Sequence, residues 1–293
     1  MKIFNAILAG VLIPVVSTFA SQYLEDRQVA EKLLAEKKPA EALEVFVKLA
    51  DTYAAVPSQK TDALEQACLI ALQFKQYDRA LDLAGKIPEP AVSKACQMRV
   101  LEAKRDWRQI ITSFKSEDIS IWPENQADIG FYFRGLAYAR LGDQAQAISD
   151  LEKAAENGAD GDNEIFKGRA LCELGVIYTS LKEYQKAIDA YGNAQNSRIK
   201  GTFMLFNAII SRAALFSKLG KYEEALEELN KIDLAALSTG AWKSGVLRAY
   251  GDIYEAKGDK KQALEKYTEA ISVTNAPPSD LAALKKKLEI VNP

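Results

Sequence analysis

Three acidic residues at alternate positions form the most suggestive cation-binding pattern in this sequence. Asp160, Asp162 and Glu164 follow the spacing with which a calcium-binding loop begins. Such a loop continues with Gly directly after the third ligand and with Glu six residues beyond that Gly, but this chain has Ile165 and Leu171 there. The pattern therefore favours a solvated acidic loop, and we predict no metal site and no cofactor.

The side chains that perform most catalysis at neutral pH are poorly represented. The chain has no histidine, so it lacks the commonest general acid-base group, and Ser-His-Asp and Cys-His catalysis are excluded. No pair of carboxylates stands apart from ordinary solvated helix faces, which argues against a hydrolase that uses two carboxylates. We therefore predict that the protein is not an enzyme.

The cysteines also lack a reactive pattern. Cys68, Cys96 and Cys172 are odd in number and show no CxxC spacing, so neither a metal site nor a redox motif is indicated. Cys68 occupies a helix-packing position, where Cys acts as a small hydrophobic residue. A disulfide between Cys68 and Cys96 stays open as the alternative.

The N-terminal segment has the features of a signal peptide. Lys2 is the only charged residue among the first 24, and it is followed by the apolar run Ile3 to Val16 and then by Thr18-Phe19-Ala20. This order is typical of export signals. We expect residues 1–20 to be removed by cleavage after Ala20, which predicts a periplasmic or secreted protein.

An uncleaved membrane anchor, with the rest of the chain facing the periplasm, is the alternative. The uncharged run from Ile3 to Leu24 has 22 residues, and about 20 suffice to cross a bilayer. Pro14 and the small residues near Ala20 favour cleavage. Contact with a membrane is expected only if this segment is retained.

The overall charge argues against a nucleic-acid partner. The chain has 38 Lys and Arg against 40 Asp and Glu, a formal net charge of -2. Such a balance creates no global field that would attract a polyanion. The hydrophobic content of 48% is ample for a core, and the charge balance disfavours a polynucleotide partner.

The elements that would position a binding surface are paired helices. One helix has an apolar stripe at positions i, i+3 and i+7, formed by Leu171, Leu174 and Tyr178. The next helix has the matching stripe of Ala187, Tyr191 and Ala194. Gly175 and Ala187 are expected where the two antiparallel helices come closest, because a larger side chain there would force them apart.

These residues carry a family resemblance. Leu174, Gly175 and Tyr178 in the first helix, with Ala187 and Tyr191 in the second, resemble the consensus of the tetratricopeptide repeat. One such helix pair cannot bury its outer faces alone, so neighbouring pairs must stack on it. The resemblance implies an all-α fold, a right-handed solenoid of antiparallel helix pairs.

The repeats are of unequal quality along the chain. Residues 128–277 hold four clear units, in which Gly142, Gly220 and Gly258 suit a left-handed residue between helices. Residues 23–124 hold three weaker units without that glycine. The small or apolar residues expected near the start of each second helix are Ala42, Ala80, Ile110, Ala147, Ala187, Ala225 and Ala263.

The spacing and the connections complete the predicted architecture. The steps between those seven residues are 38, 30, 37, 40, 38 and 38, mostly longer than the family period of about 34. The 30-residue step indicates a shortened third unit. Residues 115–127 and 157–163 are predicted as loops, and residues 279–291 as a C-terminal helix that caps the last repeat.

The resemblance also implies where a partner would bind. In this family the first helix of each repeat lines the inner, concave groove. By position, the groove residues here are Tyr132, Leu136, Arg140, Arg169, Cys172, Val176, Asn207, Ile210, Lys218 and Arg248. None of the projected groove positions between Ile129 and Lys218 is acidic, and cations over an apolar floor suit an acidic peptide or a free C-terminal carboxylate.

We therefore expect a non-catalytic scaffold of the cell envelope that holds an extended peptide or protein segment in this groove. The alternative is a carrier or sensor that binds a cell-wall or polysaccharide fragment there. Sugar binding usually needs exposed aromatic faces, and Tyr132 is the evident aromatic candidate in the projected groove. The Lys, Asn and Arg set with which some members clamp chaperone tails is missing, since Cys172, Val176 and Ser211 occupy its positions.

Overall fold

The computed structural model describes residues 21–157, 164–197, 203–235, 237, 239–276 and 278–291. Across these ranges the chain is helical and contains no β-strand, so the predicted all-α class is confirmed. Within the same ranges, none of the helices is both long enough and apolar enough to cross a membrane. The predicted signal peptide and most of the acidic loop lie outside the described residues.

The chain forms two compact units, residues 1–143 and residues 144–293. Helix α1 of the first unit covers residues 21–35. The other helices of this unit are α2 (Pro39–Thr52), α3 (Pro57–Gln73), α4 (Tyr77–Gly85), α5 (Pro90–Ala103), α6 (Trp107–Ser113), α7 (Ser116–Ser120) and α8 (Glu124–Leu141). Helices α2, α3 and α5 begin with proline, which lacks an N–H that the first turn would leave unpaired.

The second unit continues the alternation of helices. Its elements are α9 (Gln144–Asn157), α10 (Glu164–Ser180), α11 (Tyr184–Gln195), α12 (Phe203–Lys218), α13 (Tyr222–Leu229), α14 (Gly240–Lys257), α15 (Lys260–Ser272) and α16 (Pro278–Val291). Helix α10 packs on both α9 and α11, and α12 packs on both α13 and α14.

One kind of turn ends the first helix of every pair. At Lys182 the backbone φ is 63°, its N–H donates to the Thr179 carbonyl at 3.1 Å, and the following N–H donates to the Tyr178 carbonyl at 2.9 Å. This is the hydrogen-bond pattern of a left-handed helix C-cap. The left-handed residues at these turns are Lys37, Lys75, Arg105, Gly142, Lys182, Gly220 and Gly258.

The missing glycines of the N-terminal units therefore do not mark a different structure. Lys37, Lys75 and Arg105 adopt φ values of 60°, 58° and 58°, although a side chain in this conformation costs about 1 kcal/mol relative to Gly. A cation at a helix C-terminus interacts favourably with the helix dipole, which offsets part of that cost. The turn is present where its usual sequence signal is absent.

Each left-handed residue is followed five positions later by a fully buried side chain. These side chains are Ala42, Ala80, Ile110, Ala147, Ala187, Ala225 and Ala263, and each is 0% exposed. They are the seven residues that the spacing in the sequence selects. In the 30-residue step α4 has 9 residues, and α5, which begins after a connection of four residues, has 14.

Glycines in the first helices make room for tyrosines of the second helices. A Cβ at Gly175 would lie 2.6 Å from Cε1 of Tyr191, and a Cβ at Gly251 would overlap the ring of Tyr267. At Gly175 the close neighbour on the second helix is thus Tyr191, and Ala187 of the same helix is fully buried. Because the ring lies on the glycine, the helix pair can pack closely.

The predicted loop at residues 115–127 is partly helical. Helix α7 (Ser116–Ser120) lies inside it, and Ile119 is fully buried. The ring of Trp122 would be 2.7 Å from a Cβ at Gly130 of α8. The segment is thus folded onto α8 by apolar contact, which the turn-forming Trp122-Pro123 pair did not reveal.

The C-terminal helix α16 lies against the last helix pair. Helix α16 packs on α14 and α15, and its Leu284 is fully buried in a cluster with Leu247 and Tyr267. Lys285 and Lys286 are exposed. Residues of α16 thus shield an apolar face that stacking would otherwise leave open.

The three cysteines are free thiols and all are buried. Cys68 Sγ donates to the Ala80 carbonyl at 3.3 Å, which links α3 to the start of α4. The disulfide alternative is not realised in this structure, and the cysteines serve as small core residues.

Substitution by Ala should have opposite effects on the free energy of unfolding at two glycines of helix α14. Gly251→Ala should lower the free energy of unfolding by about 1–3 kcal/mol, because the new methyl group displaces the Tyr267 ring. At Gly245 no atom lies within 4 Å of an added Cβ, so Gly245→Ala should raise it by about 0.5–1 kcal/mol through helix propensity. Urea unfolding followed by circular dichroism measures both, and equal effects would contradict the ring-on-glycine packing.

Candidate functional site

Three of the predicted groove residues line one pocket of the second unit. Ile210 and Lys218 of α12 and Arg248 of α14 face a pocket of about 290 Å³ between these two helices. Its other lining residues are Ala214, Ser217, Gly245, Ala249, Asp252, Ile253 and Ala256. We call this surface the α12–α14 groove.

The groove combines an apolar floor with exposed cations. Ile210, Ala249 and Ile253 supply the floor, while Lys218 and Arg248 are exposed. Within the described chain neither cation has a carboxylate partner. Lys218 Nζ lies 4.7 Å from the centre of the Tyr184 ring, which orients the ammonium group without neutralising it.

Asp252 is the acidic residue of the groove lining, and its charge is balanced from outside. Lys287 Nζ of α16 lies 3.2 Å from Asp252 Oδ1 and 2.8 Å from Glu255 Oε2. The Tyr267 hydroxyl lies 2.7 Å from Asp252 Oδ1 and 2.6 Å from Glu255 Oε2, so it donates to one carboxylate at a time. Lys287 is thus shared between two carboxylates, and the sign of the groove is set by Lys218 and Arg248, which outnumber Asp252 in its lining.

Burial and hydrogen bonding shift the pKa values in this cluster. Burial raises the pKa of Tyr267, and the hydrogen bonds to Glu255 and Asp252 raise it further, so the phenol stays protonated. Burial alone would raise the pKa of Glu255, but the hydrogen bonds from Lys287 and Tyr267 outweigh it and lower that pKa. Burial would lower the pKa of Lys287, but the two carboxylates raise it.

Helix α10 and the start of α12 carry further predicted residues outside this pocket. Val176 is 54% exposed and Asn207 is exposed. Arg169 is half-buried, with its guanidinium carbon 5.5 Å from the centre of the Phe166 ring. These three side chains do not line the α12–α14 groove.

The other predicted residues are mostly core. Tyr132, Leu136 and Cys172 are only 6%, 4% and 9% exposed, because neighbouring elements cover the helix faces that the repeat pattern projected toward a partner. Burial raises the pKa of the Cys172 thiol to about 12. Arg140 is exposed at the end of α8, in the first unit. We leave the three buried residues out of the site.

Sequence reasoning also missed several lining residues. Ala214 lies four positions after Ile210, and Gly245 and Asp252 lie three before and four after Arg248. Residues at these intervals share a helix face. Helical spacing around the selected residues would have found them, but their small or acidic side chains gave no reason to select them.

The repeated turn, the ring-on-glycine packing and the open groove define a class: a protein of stacked helix pairs that offers a surface rather than an enclosed cavity. The tetratricopeptide repeat profile matches residues 130–157, 168–197 and 246–281. These three segments are therefore similar to the tetratricopeptide repeat. Proteins that contain this repeat are protein–protein interaction scaffolds.

Known proteins share this fold at low sequence identity. The APC/C hetero-tetramer Cut9-Hcn1 is 15% identical with a TM-score of 0.58, over 90% of this chain and 48% of that chain. The apo form of the quorum sensor NprR from B. thuringiensis is 16% identical with a TM-score of 0.52, over 92% of this chain and 86% of that chain. At these identities the likeness concerns the fold alone.

A curated relative matches half of the chain. The 43 kDa receptor-associated protein of the synapse from Tetronarce californica is 26% identical over 149 residues, which is 47% of this chain and 35% of that protein. The match thus spans about a third of the length of the relative.

The capping cluster predicts a pH-dependent contribution to stability. In Lys287→Met, Glu255 loses its cation, so the urea midpoint should fall relative to wild type at pH 7. A carboxylate whose pKa is lowered on folding stabilises above its ordinary value, here 4.5, and that contribution disappears as pH falls through the folded pKa. The difference between the two proteins should therefore shrink below about pH 4.5.

The neighbouring substitution Lys286→Met is the control, because Lys286 is exposed and has no ion pair in the described chain. Its urea midpoint should equal that of wild type at every pH. If Lys287→Met lowered the urea midpoint by the same amount at pH 7 and at pH 4, the ion-pair explanation would be contradicted.

Proposed function

We propose that this protein is a non-catalytic scaffold that binds an extended, acidic segment of another protein in the α12–α14 groove. The observation that carries the proposal is the pair of exposed cations, Lys218 and Arg248, beside an apolar floor. In the described chain no carboxylate neutralises either of them. A partner can supply the missing charge.

The chemistry of the groove favours a carboxylate. The Arg248 guanidinium can pair with a carboxylate through two parallel hydrogen bonds, and Lys218 adds a point charge on the other helix. The groove lining holds two cations against one carboxylate, Asp252, which also contacts Lys287, so its net charge attracts an acidic ligand. An apolar side chain next to the carboxylate would contact Ile210 and Ala249.

The floor residues allow a peptide backbone to approach closely. The lining between the two cations has small side chains that project little into the groove, at Gly245, Ala214 and Ala249. Gly245 costs helix stability relative to Ala, and nothing lies within 4 Å of the position of its missing side chain. A ligand main chain that runs along the groove would use this space.

The alternative occupant, a cell-wall or polysaccharide fragment, has less support. Among the described residues that line the groove, none is Trp or Tyr, and stacking on such rings is the usual way to hold a sugar. Tyr132, the aromatic candidate from sequence, is buried. The name of the synaptic relative, a receptor-associated protein, is in keeping with a protein partner.

A peptide library displayed on phage tests the proposal with purified protein. Selection on wild type should enrich peptides that contain Asp or Glu beside an apolar residue. The double variant Lys218→Glu, Arg248→Glu should bind the selected peptides at least about tenfold more weakly in fluorescence anisotropy, because it replaces attraction by repulsion.

The matched control is Lys261→Glu, Lys286→Glu, which makes the same change in net charge at exposed lysines outside the groove. It should retain the affinity of wild type. Equal affinity of the groove variant and wild type for every selected peptide would overturn the proposal.

We further propose that the protein acts in the cell envelope, after removal of residues 1–20. Support comes from Lys2, the apolar run that follows it and the small residues before Ser21. Fractionation of cells, with N-terminal sequencing of the protein, should find it outside the cytoplasm with Ser21 as the first residue. Recovery from the membrane with Met1 retained would support the anchor instead, and recovery from the cytosol would contradict export.

A further inference from the structure

Two of the three buried thiols lie side by side between helices α3 and α5. These helices pack on each other, and Cys68 of α3 and Cys96 of α5 belong to the same buried cluster, each 0% exposed. The Cys96 thiol donates a hydrogen bond to the Cys68 sulfur, and the Cys68 thiol donates to the Ala80 carbonyl at 3.3 Å. The two sulfur atoms are therefore neighbours in the folded chain.

The position of Cys68 in its helix pair explains why a thiol fits there. Cys68 precedes Ala80 by the same interval at which Gly175 precedes Ala187. In that clear repeat a tyrosine ring lies on the glycine, but the weaker repeat has Ala84 at the position of the tyrosine. Because Ala84 leaves the space of a ring unfilled, the side chain of Cys68 has room between the helices, where it meets Cys96.

An ion pair lies on the same two helices. Arg99 Nη1 of α5 is 3.8 Å from Glu65 Oε1 of α3, and their side chains are 18% and 26% exposed. Arg99 follows Cys96 by three positions and Glu65 precedes Cys68 by three, so each charged group shares a helix face with a thiol. The thiols are fully buried, but partly exposed charged groups lie about one helical turn away.

The hydrogen bond between the thiols makes them chemically unequal. The hydrogen bond from Cys96, helped by the charge of Arg99, lowers the pKa of Cys68, although burial opposes this effect. The same hydrogen bond, together with burial, raises the pKa of Cys96. Cys68 is therefore the thiol that ionises first, and the thiolate is the nucleophilic form of cysteine.

A metal site does not account for this pair. Across the described parts of the chain, no three Cys, Asp or Glu side chains come together as possible metal ligands, and a structural zinc ion takes four ligands. The reaction that two neighbouring thiols can undergo without further ligands is bond formation between their sulfur atoms.

We propose that Cys68 and Cys96 are an oxidisable pair that closes into a disulfide bridge between α3 and α5; the structure holds the pair in its reduced form. The oxidant is another disulfide, of a thiol-oxidising protein or of glutathione. The Cys68 thiolate attacks one sulfur of this disulfide and expels the other as a thiolate. The Cys96 thiolate then attacks the Cys68 sulfur of the mixed disulfide and expels the second thiolate. Two thiols are oxidised, one external disulfide is reduced, and the protons of Cys68 and Cys96 pass to the leaving thiolates.

The bridge joins two neighbouring helix pairs covalently. It encloses residues 69–95, which include all of α4 (Tyr77–Gly85) and the left-handed turn at Lys75. Closing this loop removes conformations from the unfolded chain, in a part of the protein where the turns lack glycine. Because both thiols are buried, exchange requires α3 and α5 to separate briefly, and the closed bridge is shielded from reductants in the same way.

Equilibrium with glutathione tests the pair. The chain carries Cys172→Ala, which leaves only these two thiols, and it is incubated in mixtures of reduced and oxidised glutathione, either folded in buffer or unfolded in urea. Each incubation is started from the reduced chain and from a chain bridged in urea beforehand, so slow access to the buried thiols does not decide the result. Alkylation after acid quenching, followed by mass spectrometry, gives the bridged fraction. The folded chain should favour the bridge at least about tenfold more than the unfolded chain, and the bridged chain should have the higher urea midpoint.

The matched control is Ala95→Cys, Cys96→Ala in the same background, which keeps the composition and moves one thiol by a single position. Successive side chains on a helix point about 100° apart, so the moved thiol no longer faces Cys68. Circular dichroism confirms that the control is folded, and its folded form should favour the bridge no more than its unfolded form. The proposal is overturned if the parent chain shows no such preference, or if the control gains as much as the parent.

This inference rests on the packing of α3 on α5 and is independent of the ligand of the α12–α14 groove. Lys218→Glu, Arg248→Glu should leave the bridged fraction unchanged. A chain that binds acidic peptides but does not form the bridge refutes the thiol pair alone, and a chain that forms the bridge but binds no acidic peptide refutes the proposed function alone.

Discussion

The structure depends on one residue with a left-handed backbone conformation between the two helices of each pair. It ends the first helix and satisfies two of its last carbonyls. The buried side chain five positions later then anchors the second helix in the same place in every repeat. Because the turn sets both where the helix stops and where the next one starts, the faces available for stacking repeat along the chain.

Close packing within a pair follows from that register. The rings of Tyr191 and Tyr267 lie on Gly175 and Gly251. The distance between the two helix backbones is therefore set by one ring rather than by two side chains in contact. Such tight pairs bury their apolar stripes and leave polar side chains on the outer faces. The α12–α14 groove is the space that remains where these two helices diverge over an apolar floor.

The electrostatic character of the α12–α14 groove depends partly on a contact from another helix. Lys287 of the capping helix is shared between Asp252 and Glu255. The groove lining holds Lys218 and Arg248 against the single acid Asp252, so it is basic. A cap that is needed to cover apolar surface thus also shapes a binding surface.

The sequence by itself determined the all-α class, and it selected seven residues that are all buried in the structure, because apolar periodicity reports which face of a helix is buried. It could not show that Lys37, Lys75 and Arg105 take a left-handed turn, since tertiary packing imposes a conformation that their own preferences disfavour. It identified Ile210, Lys218 and Arg248 as neighbours, yet it also selected Tyr132, Leu136 and Cys172, which are buried. Exposure is decided by the helices that pack alongside, and only the tertiary structure brings those helices, and the charges they carry, into place.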